Sequence, residues 1–318
     1  MSKLKGLIKK NFPIAYEWYR HIKRIQYIYE IKRKKKMTTE EHRGWISNQY
    51  KKRIGSDMDW DNPTTYTGKM QWVKLYDNNP MRIMCTDKYK VRKWVVDNIG
   101  EEHLIPLLGV WDKFEDIDFH LLPEKFVLKT NHGSGTNIIV LNKKLLNLKT
   151  ARLKINDWLR TDFGYKTLEL HYSKIEPKII AEEYIESRYR ELQDYKFLCF
   201  DGKPEYCWVD MGRYSEHTRN VYDMNWKLQQ WNQETYSHYK EPIPRPKNFD
   251  KMIEIATALS KGFPHVRVDL YNVEGKIYFG EMTFTNGGGF DRILPAEYNT
   301  MLGNLWDFSD YKSKLGAR

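Results

Sequence analysis

Lys129, Ser134, Arg267, Asp269 and Glu281 are side chains whose types and spacing could handle a phosphate and a cation. Lys129 lies in KFVLKTNHGSGTNIIV (125–140), where two strand-like runs flank Asn131-His132-Gly133-Ser134-Gly135. Glycines leave backbone N–H groups open to an anion, and Lys129 adds positive charge. This is not a Walker loop, because no Gly-Lys-Ser/Thr ends it and a β-rich run follows it. The plain alternative is a hairpin turn with a surface lysine. A second module is HVRVDLYNVEGKIYFGEMTFTNGGG (265–289). Alternate side chains of a strand share a face, so Arg267 and Asp269 point together. Glu281 can oppose Asp269 across a turn at Val273–Lys276. Two facing carboxylates repel unless a cation separates them, and Mg²⁺ takes hard oxygen ligands of this kind. A cross-strand Arg267–Glu281 ion pair on a solvated face is the alternative.

These modules follow an order. Asp87-Lys88 come first, then Lys129 and the glycine loop, then IIAEEYIE (179–186) and Asp194-Tyr195-Lys196. The Arg267/Asp269/Glu281 hairpin and Gly287-Gly288-Gly289 close the series. Over roughly residues 86–295 this order resembles the ATP-grasp superfamily of carboxylate–amine ligases. The strings YTGKMQWVKLYD, TDKYKVR, DYKFLCFDGKP and TFTNGGGF resemble more particularly the TupA-like ATP-grasp proteins, which are associated with bacterial surface-polysaccharide and teichuronopeptide synthesis.

The resemblance implies an α+β fold in which two lobes clamp ATP. It implies that Lys88 and Lys129 contact the phosphates and that Gly133, Ser134 and Gly135 close over them. Glu182, Glu183, Tyr184 and Ile185 match the hinge that holds adenine, and Asp194 the ribose-binding acid. Arg267, Lys129 and Lys196 match the catalytic cations. Asp269 and Glu281 match the Mg²⁺ ligands, with Thr283 where the family carries Asn. Asn286 could substitute for it, and Asn286, Gly287 and Gly288 fall beside the substrate. The implied reaction joins an amine to a carboxylate through an acyl phosphate. A kinase acting on a sugar hydroxyl and a non-catalytic membrane or polyanion binder are the alternatives. His132 reads as a loop hydrogen-bonder, and no Ser–His–Asp set is needed.

The elements that must position these groups occupy most of the 318 residues. The sequence divides into a basic arm (1–36), a helical, truncated pre-grasp region (37–123), a first lobe (124–185) and a second lobe (186–318) that carries the metal site. Within them, GKMQWVKLYD reads as an amphipathic helix, and further helices are expected near 148–161 and 248–262. The segment WVDMGRYSEHTRNVYDMNWKLQQW crowds aromatic residues around Arg213 and Arg219, which suits a carboxylate-bearing sugar. Core packing is the competing reading of its aromatics.

The net charge of +11 is uneven. Residues 1–36 hold twelve Lys/Arg against Glu17 and Glu30, a net +10, which leaves +1 for the remaining residues. Trp18, Ile22, Ile25 and Tyr29 recur there at helical spacing. A basic amphipathic helix suits an anionic membrane surface, a docked helix with its charges in solvent is the alternative, and nucleic acid is the least favoured partner. No apolar run is long enough to span a bilayer, and charges break any signal-peptide core. Cys85, Cys199 and Cys207 lack metal-like spacing. The expectation is a cytoplasmic protein, peripheral on the inner face of the membrane.

Overall fold

The computed structural model describes residues 13–186, 193–212 and 217–308, with the side chains of 13–21 and of Lys23 left aside. The chain divides into two compact units, Met1–Trp45 and Ile46–Arg318.

In the first unit, α1 (Pro13–Lys35) is followed by the start of α2 (Thr39–Ile54). A reciprocal cap begins α2: Thr38 N–H donates to Glu41 Oε2 at 2.7 Å, and Glu41 N–H to Thr38 Oγ1 at 3.2 Å. Lys34 is buried, with its Nζ 3.6 Å from the centre of the Trp45 ring and 3.0 Å from Glu30. His42 Nε2 reaches the Lys34 carbonyl at 2.9 Å. These contacts carry the unit beyond the residue-36 boundary expected for the basic arm.

The second unit holds two antiparallel sheets. The first has four strands in the order β1-β4-β2-β3, from β1 (Leu107–Trp111), β2 (Phe126–Thr130), β3 (Asn137–Val140) and β4 (Ile179–Glu183). Phe126 and Leu128 of β2, with Ile179 and Ala181 of β4, pack against Ala151 and Ile155 of helix α6 (Leu148–Leu159). Lys129 alternates to the other face. Strand–loop–strand geometry around the glycines is as expected. The sheet also recruits β1, which precedes the expected lobe boundary at 124. Its short LLGVW run carries no alternation to mark it as a strand.

The second sheet runs β10-β9-β5-β6-β7, from β5 (Asp194–Phe200), β6 (Lys203–Met211), β7 (Thr218–Asp223), β9 (His265–Val273) and β10 (Lys276–Thr283). The two-residue strands β8 (Asn232–Gln233) and β11 (Ile293–Leu294) form a separate ribbon. Strands β9 and β10 join through Glu274 and Gly275, both at positive φ (54° and 92°), a pairing suited to a tight hairpin. Residues Phe197, Cys199, Val266, Val268 and Leu270 bury against Phe249, Met252, Ile255, Ala256 and Leu259 of α8 (Phe249–Ser260). Each such large apolar side chain contributes about 1.5–3 kcal/mol on burial, so this face anchors the sheet. The opposite face is divided. Leu198, Phe200 and Trp208 pack with Tyr66, Met70, Val73, Leu302 and Trp306, whereas Asp194, Lys196, Arg267 and Asp269 form a polar cluster beside them.

Helix α3 (Tyr66–Tyr76) lies over that divided face and corrects the amphipathic reading, since residues 66–74 are all buried. Its polar residues bond to backbone instead of water. Lys69 Nζ donates to the carbonyls of Gly303 (2.8 Å) and Trp306 (2.5 Å), and Lys74 Nζ to that of Gly288 (2.7 Å). Helices α4 (Pro80–Thr86), α5 (Val91–Ile99), the single turn α7 (Gly164–Thr167) and α9 (Glu297–Asn304) complete the described α-helices. Among the described residues no helix is long and apolar enough to cross a membrane.

Helix α9 meets the start of α3 through backbone. A Cβ added at Gly303 would stand 2.1 Å from the Thr64 carbonyl oxygen and 2.8 Å from the Tyr66 nitrogen. Backbone on both sides cannot give way cheaply. Gly303→Ala is therefore expected to lower stability by about 1–3 kcal/mol, the cost of overpacking. Urea denaturation checks this, and an unchanged midpoint would contradict it.

Candidate active site

Asp87 and Lys88 follow the last turn of α4. Asp87 Oδ1 accepts from the Tyr89 N–H at 2.8 Å and from Asn131 Nδ2 at 3.0 Å. Buried Asn131 also donates to the Glu176 carbonyl (3.0 Å) and accepts from the Lys178 N–H (2.7 Å), so the base of the glycine loop is fixed. Lys88 Nζ then donates to the Gly133 carbonyl at 2.6 Å and stands 3.9 Å from Glu281 Oε2. One lysine thus links the glycine loop of the first sheet to an acid of the second. Burial pulls Lys88 below the ordinary lysine range, with Glu281 opposing. A Cβ at Gly133 would meet the Phe163 ring at 2.7 Å, while Ser134 is exposed at the loop tip.

Asp269 and Glu281 are cross-strand partners, as expected from the alternation. Arg267 forms a fork on Asp269, with Nε to Oδ1 and Nη2 to Oδ2 both at 2.6 Å. Nη2 also donates to Glu281 Oε1 and Thr283 Oγ1, each at 3.1 Å. The three expected Mg²⁺ ligands therefore converge on one cationic nitrogen. Their oxygens are hard donors of the kind Mg²⁺ takes, and here the guanidinium occupies the centre they share. Among the described residues no three His, Cys, Asp or Glu side chains are arranged for a metal, so the set is two carboxylates and a hydroxyl. Lys196 completes the cluster, 2.5 Å from Asp194 and 2.8 Å from Asp269. Burial depresses Lys196, but Asp194 and Asp269 outweigh it and hold the ammonium above its ordinary range. Burial raises the Asp269 carboxyl despite both cations.

A cleft of about 380 Å³ opens beside this cluster, lined by Ser134, Tyr172, Arg267, Glu281 and Thr283 with Gly287 and Gly288. Arg53 and Lys166 also line it. The sequence reading missed both, since neither belongs to a recognisable pattern. Lys129 ion-pairs with Glu182, which also lies 3.6 Å from Arg92 Nη1. Glu183 is exposed at the end of β4, and Tyr184 and Ile185 follow it where the chain leaves the first sheet for the second. Gly135 adopts a left-handed conformation (φ 71°) that spares the loop a side chain.

Three expectations change. Arg219 is not offered to a substrate. It is 3% exposed and grips Asp210 through Nε (2.5 Å) and Nη2 (2.8 Å), between the rings of Trp208 and Tyr236. Burial raises Asp210, but the Arg219 hydrogen bonds outweigh it and leave the carboxyl at about 2. Asp194, expected at the ribose, is buried and accepts from Lys196 Nζ. Asn286 is buried and serves Arg267, not a substrate: its Oδ1 accepts from Nη1 at 2.9 Å. Arg213 lies outside the described residues.

Asn286 belongs to a tether the sequence did not reveal. His265 Nδ1 lies 2.8 Å from the Cys199 carbonyl, an acceptor only, so Nδ1 carries the proton. Nε2 must then accept from Tyr66 Oη at 3.0 Å, and the tyrosine oxygen accepts from Asn286 Nδ2 at 2.6 Å. That order turns the Asn286 oxygen toward Arg267. Gln71 and Lys74 donate to the carbonyls of Gly289 and Gly288, which a left-handed turn at Gly287 and Gly288 (φ 54° and 65°) brings to α3.

The family model described as TupA-like ATPgrasp matches residues 68–307. No curated protein is significantly similar to the chain. Among solved structures, a D-alanine–D-alanine ligase from Bacillus anthracis is 19% identical, covers 73% of this chain and 69% of its own, and superposes with a TM-score of 0.43. An L-amino acid ligase from Bacillus licheniformis is 15% identical (74% of this chain, 51% of that one, TM-score 0.40). The D-cycloserine synthetase DcsG is 14% identical (74% and 72%, TM-score 0.40).

Two outcomes follow from the tether and its surroundings. Tyr66→Phe leaves His265 Nε2 and Asn286 Nδ2 without partners, at an expected cost of about 1–3 kcal/mol per group; a urea midpoint equal to that of the native chain would refute it. Burial also lowers His132, His171 and His265, the last to about 3. The unfolded chain takes up those protons near the ordinary histidine value of about 6.5, while the folded chain does not. Stability should therefore fall progressively as pH drops below about 6.5, continuing toward 3. Melting temperatures at pH 7.5, 6.0 and 5.0 test the sign, and a flat or rising trend toward acid would contradict it.

Proposed function

The chain belongs to the TupA-like ATP-grasp family, and from that premise we propose that it is an ATP-dependent ligase joining an amine to a carboxylate. The observation that carries this reading is Lys88, bonded to the Gly133 carbonyl of the glycine loop and 3.9 Å from Glu281, a residue of the cleft wall. A triphosphate laid between the sheets would meet Lys88, Lys129 and the N–H groups of Gly133, Ser134 and Gly135, with the base near Glu183, Tyr184 and Ile185.

A carboxylate has no leaving group that an amine can displace at neutral pH. Transfer of the γ-phosphoryl group to its oxygen breaks the terminal P–O bond of ATP, releases ADP and forms an acyl phosphate. The amine then attacks the acyl carbon, and phosphate departs with the C–O bonding pair as the nitrogen loses a proton. Negative charge gathers first on the phosphoryl oxygens and then on the tetrahedral oxyanion. Arg267 and Lys196, held by buried acids, keep their charge beside the cleft and so can stabilise both. Mg²⁺ bound by Asp269, Glu281 and Thr283 would neutralise phosphoryl charge; binding there requires Arg267 Nη2 to give up the shared centre. Acyl phosphates hydrolyse, so the loop around Ser134 must exclude water while the intermediate lasts.

Arg53 and Lys166 on the cleft wall suit an acceptor that is itself acidic. With the family premise, this favours a uronic acid of a surface polysaccharide or its precursor, and an amino acid or related amine as the partner. The deciding experiment follows phosphate in purified protein given Mg-ATP, candidate uronic acids and amines. Free phosphate should accumulate above background only when both acceptors are present, and Lys88→Ala should weaken Mg-ATP binding by about tenfold or more, the worth of one charge-assisted contact. Phosphate found on the sugar would identify a kinase and overturn the ligase reading. Unchanged nucleotide affinity in Lys88→Ala would remove the observation on which it rests.

A further inference from the structure

Helix α1 carries two unlike faces. Ile31 and Lys34 are buried, and Lys34 is gripped by Glu30, Trp45 and His42. Ile22 (48% exposed), Ile25 (55%), Ile28 (42%) and Tyr29 (71%) lie in water. At 3.6 residues per turn these four fall within an arc of roughly 120°, centred well away from Ile31 and Lys34. The backbone of Trp18 lies on the same arc, with its side chain outside the described residues. Apolar side chains of this size are rarely left together in water on a folded surface unless something covers them.

The charges around the arc say what. Arg24 and Lys35 border one side, Arg33 the other, and Lys32 lies at its C-terminal end, all exposed. Residues 1–36 hold almost the whole net charge of the chain. A second protein copy would bring the same positive charge to the contact and be repelled. A nucleic acid would satisfy the cations but leave three isoleucines and a tyrosine wet. An anionic lipid surface answers both, taking the apolar arc among the acyl chains while long basic stems reach back to the headgroups.

We propose that α1 is a peripheral membrane anchor: it lies in the plane of an anionic bilayer with Ile22, Ile25, Ile28 and Tyr29 buried and Arg24, Lys32, Arg33 and Lys35 on the lipid phosphates. The anchor is independent of the ligase reading, because it uses no residue of the cleft.

The test is flotation of the full-length protein with vesicles of phosphatidylcholine alone or of phosphatidylcholine with one quarter phosphatidylglycerol. The native chain should partition onto the anionic vesicles at least about tenfold better than onto the neutral ones, because each basic residue near the surface adds to binding. Raising NaCl from 50 to 500 mM should release much of it, through screening. Ile25→Asp with Ile28→Asp should cut anionic binding by about tenfold or more. A Lys32→Glu, Arg33→Glu chain should lose the preference for anionic lipid. Both variants should keep the native melting temperature and Mg-ATP response, which separates loss of the anchor from loss of the fold or of the nucleotide site. Equal binding to neutral vesicles, no binding to either, or full binding by Ile25→Asp/Ile28→Asp would overturn the proposal. So would light scattering that shows the native chain as a dimer, dissociated by the same substitutions, with no affinity for lipid.

Discussion

Arg267 carries a charge that cannot be titrated away, yet only about a tenth of it reaches water. An uncompensated cation there would cost several kcal/mol, so the surroundings must answer it. Asp269 does so with both oxygens, and its own burial is relieved in turn by Lys196. Lys196 then leans on Asp194, and at 3.9 Å on Asp210, whose carboxylate is shared with Arg219. The cluster thus alternates in sign across β9, β5, β6 and β7. The three buried cations are balanced by the three aspartates, and Glu281 is left over at the cleft edge, 38% exposed. The surplus negative charge therefore sits where Lys88 arrives from the opposite side.

Such a cluster adds little net stability compared with an apolar core of the same volume. What it does is fix direction. The fork on Asp269 sets the guanidinium plane, Asn286 engages Nη1, and the proton order through Tyr66 and His265 fixes which way Asn286 points. Because His265 stays neutral down to about 3, that order does not change across physiological pH. Pre-set dipoles and charges do not reorganise when charge develops nearby, which is the condition under which electrostatics lowers a barrier.

Much of this was legible in the sequence. Alternation in HVRVDLY and KIYFGEMTF put Arg267 and Asp269 on one face and Glu281 opposite, and the Glu274-Gly275 turn marked the hairpin. The glycine loop and the α6 and α8 helices were legible for similarly local reasons, whereas Lys88 was singled out only by the family resemblance. The illegible parts share a different cause. Lys69, Gln71 and Lys74 have the composition of a solvated helix face, but their acceptors are carbonyls of Gly288, Gly289, Gly303 and Trp306, more than 200 positions away. Arg219 looked like a ligand for a sugar acid because nothing local signals that Asp210, nine residues earlier, occupies it. Strand β1 escaped notice because its side chains are all partly buried and carry no period.

The same contrast separates the two ends of Lys88. Its bond to the Gly133 carbonyl spends a full ammonium on a neutral oxygen, and its approach to Glu281 is too long for a hydrogen bond. The lysine is partly exposed, and desolvation already pulls its pKa down. Arg267 differs, since every donor assigned to it meets a carboxylate, an amide oxygen or a hydroxyl at 3.1 Å or less. One cation has all its assigned donors engaged by the second sheet, and the other joins the glycine loop to the neighbourhood of Glu281. A polyanion entering between the sheets would meet the lysine first, and a Mg²⁺ brought with it to Asp269, Glu281 and Thr283 would have to displace Arg267 Nη2.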